Sequence, residues 1–328
     1  MIKEALFQEQ VKGGNVRCML CPSKCLLQNG QKGRCGARFS DKGRLFTSNY
    51  GDCSSLGLDP VEKKPLYHFY PGRNILSAGS TGCNFSCPYC QNHAISQGRA
   101  ITEYRDPREL AGMALQKGSI GLAYTYNEPV IWYEFVKDTA GLVKDRGGVN
   151  VLVTNGYINP EPLRQLLPLI DAMNIDVKAF NSRFYRKLCG GVLDNVRSTV
   201  EYAFGKCHLE LTYLVIPGWN DAPGEIASFA KWVAGLSPSI PVHFSRYFPR
   251  YKFTTHETPE KTMEEAAAAA AAHLKFVYIG NMDTRIYTDT LCPSCRSLLI
   301  KRRGYSTDTP GLDGVKCSKC GEAIYGKN

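Results

Sequence analysis

Gly82-Cys83-Asn84-Phe85-Ser86-Cys87-Pro88-Tyr89-Cys90-Gln91 decides how the chain is read. It spaces three cysteines as C-x3-C-x2-C directly after the apolar run Ile75 to Ala78. Three thiolates this close together can ligate three of the four irons of a cubane iron–sulfur cluster and leave the fourth without a protein ligand. An open metal position serves chemistry, whereas a structural or electron-carrying cluster is normally closed by a fourth cysteine. The plain alternative is a zinc knuckle or three buried thiols, but zinc sites are usually closed by four ligands.

Downstream of this loop a strand and helix rhythm begins. Short apolar strands are expected at 74–78, 119–124, 149–154, 172–177, 208–215, 241–246 and 275–280. Asp106-Pro107-Arg108-Glu109 has the form of a helix N-cap with Pro at the first helical position, and that helix is expected to stop at Gly118. Amphipathic stretches at 129–145, 160–170, 193–206 and 223–236 read as further helices. Alternation of this kind implies parallel strands joined by right-handed crossovers, in a sheet covered by helices. The predicted fold class is α/β: a partial (open) βα barrel of six or seven βα units, over residues 58–285. In such folds chemistry lies at the carboxyl ends of the strands. The polar residues expected there are Asn127, Glu128 and Pro129, then Thr154 and Asn155, then Asp176 and Lys178, and finally His243. The stretch from Leu58 to Gly72 carries three prolines and reads as an extended connection, with His68 a satisfied structural histidine.

Cysteines also cluster at both ends. Cys18, Cys21, Cys25 and Cys35 fall within eighteen residues, in a segment too short to bury a core of its own, and describe a metal-stapled lobe over 1–57. A second iron–sulfur cluster and a structural Zn2+ are both chemically allowed there. Cys292, Cys295, Cys317 and Cys320 form two C-x2-C knuckles and predict a tetrathiolate zinc ribbon or rubredoxin-like unit over 286–328. Zinc is expected there ahead of iron, with the unit capping the barrel or facing the substrate.

Hydrophobic content of 43% and charged content of 21% describe an ordinary globular protein. No apolar run reaches the length of a membrane span and no signal core follows Met1, so a cytoplasmic protein with thiolate-bound metals is expected, in a well-reduced or anaerobic cell. The net charge of +10 suits acidic substrates or partners, but no long basic run argues for nucleic acid.

Asp59-Pro-Val-Glu-Lys-Lys-Pro-Leu-Tyr-His-Phe, Gly82-Cys-Asn-Phe, Tyr126-Asn-Glu-Pro, Asp176-Val-Lys-Ala-Phe, Val215-Ile-Pro-Gly-Trp-Asn-Asp and His243-Phe-Ser-Arg together resemble one family. It is the radical S-adenosylmethionine (SAM) member of the AmmeMemoRadiSam system, related to the pyruvate formate-lyase activating enzymes. The resemblance implies that Cys83, Cys87 and Cys90 hold a catalytic [4Fe-4S] cluster whose fourth iron chelates SAM. Cleavage would give a 5′-deoxyadenosyl radical that abstracts hydrogen from substrate. Tyr89 would contact adenine, Glu128-Pro129 the methionine end, and Thr154-Asn155 the ribose, with Asp176, Lys178 and His243 nearby. It also implies a reductant such as ferredoxin or flavodoxin, and Memo-like and AMMECR1-like partner proteins. Three features depart from relatives. Tyr126-Asn127 stands where many have Gly-Gly, a cysteine lobe precedes the cluster loop, and the C-terminal cysteines are four rather than seven. A glycyl-radical activase, and a multi-cluster electron carrier or zinc-ribbon binding module, are the competing readings.

Overall fold

A computed structural model describes residues 1–328, and its centre is an eight-stranded sheet. Seven strands, Asn74–Gly79, Ser119–Tyr124, Val149–Thr154, Ala172–Asp176, His208–Val215, Val242–Arg246 and Val277–Gly280, lie side by side in chain order and all run parallel. Neighbours in space that are also neighbours in sequence wind the sheet one way, as a barrel does. The first and last strands of the sheet do not pair, so the barrel is open.

Six helices make the crossovers: Pro107–Met113, Tyr133–Asp145, Pro160–Leu166, Leu193–Ala203, Pro223–Leu236 and Glu260–Ala271. The first starts where the sequence places it, with the Asp106 carboxylate accepting from the Arg108 N–H at 2.8 Å. It ends at Met113, short of the expected Gly118, and a turn completes the segment. The alanine-rich last helix packs Met263, Ala266, Ala267 and Ala270 against the sheet. Small side chains let it lie close to the strands, since each CH2 buried contributes only about 0.8 kcal/mol and close approach supplies the rest.

One strand was not foreseen. Ser55–Pro60 pairs antiparallel with Asn74–Gly79 and forms the sheet's eighth member. Its second half, from Leu58, overlaps the segment expected to be an extended connection, and the boundary expected at 57/58 falls within it. The residues after it, 61–73, cross the amino-terminal end of the barrel, where the Pro65 carbonyl accepts from Asn174 Nδ2 at 2.7 Å. We call this end the base and the opposite end the rim.

The N-terminal residues form two small three-stranded sheets. They sit against the rim: the Leu20 carbonyl accepts from the Asn159 N–H at 3.0 Å and the Asn49 carbonyl from Trp132 Nε1 at 2.6 Å. The C-terminal residues take the other end. Cys292, Leu299, Ile300, Cys317 and Ile324 form one apolar cluster with Phe276 and Tyr278 of the barrel. The C-terminal unit therefore caps the base, away from the strand ends that carry the rim residues.

Candidate active site

The cluster loop leaves the rim end of Asn74–Gly79, and Gly82 (φ +89°) makes the turn. A Cβ on Gly82 would lie 2.4 Å from the Cys35 carbonyl oxygen, so glycine is required for the N-terminal lobe to close on the loop. Within the loop the Phe85 N–H donates to Cys83 Sγ at 3.4 Å, and Ser96 Oγ lies 3.1 Å from Cys90 Sγ. Such contacts fix the sulfurs and tune whatever they bind.

Cys83, Cys87 and Cys90 open into one cavity of about 470 Å³, lined also by Tyr89, Asn127, Glu128, Thr154, Asn155, Asp176 and Lys178. The size suits one substrate-sized molecule with its surface largely enclosed. No three sulfurs of the loop come within 4.8 Å of one another, as ligands of a single metal ion would. Thiolates on three different irons need that wider spread, so the donor set fits a polynuclear cluster.

Glu128 ties the rim together. It is 2% exposed, and its Oε1 accepts from the Val130 N–H at 2.9 Å and from Thr154 Oγ1 at 2.7 Å. Its Oε2 accepts from the Asn155 N–H at 2.8 Å. Burial pushes the carboxyl up to about 7, against the pull of these three donors. Asn155 turns its side chain to the cluster loop, with Nδ2 2.8 Å from Asn84 Oδ1 and 3.7 Å from Cys83 Sγ. The Asn127 amide spans the loop as well, accepting from the Ser80 N–H and donating to the Gly82 carbonyl.

Just before Asn127, Tyr126 takes the left-handed conformation, at φ +71°. A left-handed tyrosine costs about 1–2 kcal/mol. Its hydroxyl donates to Asp59 Oδ2 at 2.6 Å, which holds the backbone there. Asp59 in turn pairs with Lys63 and Lys64, both of which line the cavity. On the far wall Lys178 Nζ and Asp176 Oδ2 pair at 2.6 Å. Burial works against the Lys178 charge, but Asp176 together with the Cys87 and Cys189 thiols outweighs it and raises the pKa above the usual range.

Two expected site residues lie elsewhere. Pro129 is buried behind the cavity and starts the 3-10 turn that Glu128 caps. His243 is the second residue of its strand, not the last, so it faces inward one layer below cavity-lining Ser245. There its Nε2 meets Glu210 Oε2 at 2.6 Å, while His208 meets Glu210 Oε1 at 2.9 Å. Burial alone would raise the Glu210 pKa, but hydrogen bonds and charge from His208 and His243 hold it well below the carboxylate range. His68, as expected, is structural: Nδ1 meets the Tyr325 carbonyl and Nε2 the Tyr278 hydroxyl, and burial lowers it to about 3.

Sequence reading also missed two residues. Asn84, fully buried, accepts from Asn155 and donates to the Tyr157 carbonyl at 2.8 Å. Cys189, at the end of a π-helical turn Tyr185–Cys189, sits 3.4 Å from the Tyr89 hydroxyl. The neighbouring Cys189 thiol lowers the Cys87 pKa, against burial. Insertions of this type favour functional sites, and a lone cysteine remote in sequence carries no other signal.

At the four-cysteine C-terminal set all four sulfurs lie within 4.8 Å of one another, with Cys292 and Cys320 at 3.5 Å and Cys295 and Cys317 at 3.7 Å. Tetrahedral bonds of about 2.3 Å to one metal place sulfurs about 3.8 Å apart. This set can bind a metal ion.

The family model of the radical SAM superfamily matches residues 78–230, from the end of the first parallel strand through the cluster loop and the rim. The chain belongs to the radical SAM superfamily. Its similarity to the uncharacterized protein MJ0808 of Methanocaldococcus jannaschii is 40% identity over 98% of this chain and 99% of that one. It is also 26% identical to pyruvate formate-lyase 1-activating enzyme of Escherichia coli K12, over 43% of this chain and 60% of the activase. This radical SAM enzyme is therefore related to the pyruvate formate-lyase activating enzymes. Streptococcus suis SuiB bound to precursor peptide SuiA shares the fold at TM-score 0.52 and 12% identity, over 68% of this chain and 52% of that one. Radical SAM chemistry uses a [4Fe-4S] cluster and SAM. No helix of this radical SAM protein is long and apolar enough to cross a membrane.

Proposed function

We propose that this enzyme reductively cleaves SAM at a [4Fe-4S] cluster held by Cys83, Cys87 and Cys90, and acts on a small molecule or a protein segment that enters the rim cavity. The observation that carries this reading is the convergence of three open-sided thiols with the polar ends of four parallel strands around one cavity. When bound, cluster and SAM supply a 5′-deoxyadenosyl radical that abstracts hydrogen from substrate. The protein's part is positioning and shielding. Glu128 and Asn155 lock two strand ends to the loop, Tyr89 closes one wall, and the N-terminal lobe covers the rim's flank. Lys63, Lys64 and Lys178 line the cavity, the first two held by Asp59 and the third by Asp176, and their ammonium groups suit carboxylate-bearing ligands, SAM included. The C-terminal set holds Zn2+ in this reading and serves the fold.

A second reading is a glycyl-radical activase, favoured by the similarity to the Escherichia coli enzyme. It requires a large partner protein whose glycine loop reaches the cavity, and a stable complex with such a partner would select it. The test of the proposal is the EPR spectrum of the reduced enzyme, with and without SAM. A change in the signal on adding SAM supports an open iron at the loop. An unchanged signal supports an electron carrier.

A further inference from the structure

We propose that Cys18, Cys21, Cys25 and Cys35 hold a second [4Fe-4S] cluster, and that this cluster is the electron entry to the catalytic one. The four thiols line a single pocket in the N-terminal lobe, so they address one centre. Unlike the C-terminal set, no three of their sulfurs lie within 4.8 Å of one another. Ligands of one zinc ion would meet that spacing, whereas thiolates bound to different irons stand apart. The chemistry of the wall points the same way. Arg38 is 1% exposed and lines the pocket, its Nη1 lies 3.7 Å from Cys18 Sγ, and its buried Nε has no partner. A buried guanidinium with an unused donor needs an acceptor, and the sulfide faces of a cluster supply several.

The pocket also abuts the catalytic loop. Asn84 lines it and is the residue next to Cys83, and the Cys35 carbonyl packs on Gly82 closely enough to forbid a Cβ there. Asn84 thus belongs both to the pocket wall and to the loop that carries the catalytic thiols. In the proposed sequence a low-potential one-electron carrier gives one electron to the N-terminal cluster. That cluster is oxidised again as it passes the electron to the catalytic cluster, which ends one electron reduced. The relay half rests on the radical SAM reading, and the cluster half does not.

The experiment uses full-length protein reconstituted anaerobically with iron and sulfide, and measures acid-labile sulfide, iron, zinc and EPR. Sulfide counts only polynuclear clusters. Cys83→Ala/Cys87→Ala/Cys90→Ala should retain about four sulfides per chain, half the wild-type content, and show an EPR signal on reduction that SAM leaves unchanged. Cys18→Ala/Cys21→Ala should also lose half the sulfide. Its catalytic cluster should still be reduced by dithionite, while reduction by reduced flavodoxin is lost. Zinc without sulfide in the triple variant overturns the cluster. Wild-type rates of reduction by flavodoxin in the Cys18→Ala/Cys21→Ala protein overturn the relay. If wild type holds both clusters but never cleaves SAM, the proposed function fails and the second cluster stands. Should either variant fail to fold, the sulfide content of the other decides the cluster.

Discussion

The two tetra-cysteine sets occupy opposite ends of one barrel. At the base, four sulfurs crowd together and the unit around them shares an apolar cluster with Phe276 and Tyr278. At the rim, four sulfurs are spread around a pocket that shares Asn84 with the cluster loop. The polar groups beside each set follow the same division. Arg302 of the C-terminal unit lies 4.1 Å over the Tyr67 ring and donates to the Tyr67 carbonyl, closing the barrel floor. Arg38 of the N-terminal lobe faces thiols and pairs with buried Glu134 of a crossover helix. Sulfur spacing, rather than cysteine number, distinguishes the two ends, and on the proposed reading it divides an end built for stability from an end built for chemistry.

The largest effect that would sharpen this contrast is loss of the base metal. Cys292→Ala/Cys317→Ala should lose the proposed zinc and more than about 5 kcal/mol of stability, since structural zinc contributes about 10–16 kcal/mol in small domains. Metal analysis and thermal denaturation check this, and unchanged iron and sulfide would confirm that the rim is independent. Next comes the floor. Glu210→Gln removes one partner of a buried charged cluster and should cost about 3–5 kcal/mol. Because the folded Glu210 lies below its unfolded value, its contribution is present above about pH 4.3 and lost as pH falls. Denaturant titrations from pH 6 downward should show a steeper acid loss in wild type than in Glu210→Gln.

At the rim the expected stability effects are smaller and the chemical ones larger. Glu128→Gln keeps the shape but turns one acceptor oxygen into an amide donor, so at least one of the three hydrogen bonds is lost, and it should cost about 2–3 kcal/mol in a denaturant midpoint. It should also slow SAM cleavage, which no base variant that remains folded should do. A Glu128→Gln enzyme with wild-type cleavage would break the division between the two ends. Tyr126→Phe, which removes only the hydroxyl on Asp59, should cost about 1 kcal/mol, again read from the midpoint.

Much of this was legible in the sequence for a physical reason. Apolar runs such as Val149–Thr154 and Ser119–Tyr124 are covered on both faces, so hydrophobicity alone marks their limits. Ser55–Pro60 was invisible because it is an edge strand, exposed at alternate residues and ending on proline. The thiol loop and the rim residues Asn127, Glu128, Thr154, Asn155, Asp176 and Lys178 could be read because each ends or follows a strand. His243 was misplaced because rim and floor residues share one face of the same strand, and only the register separates them. Asn84 and Cys189 act through partners 71 and 100 residues away, which no local pattern encodes.

The most direct test of the central claim is 5′-deoxyadenosine and methionine formed from SAM by anaerobically reconstituted enzyme under dithionite, for wild type beside Cys87→Ala. Product from wild type alone is the predicted result. Equal product from Cys87→Ala, or none from a wild type with full iron and sulfide, would contradict it.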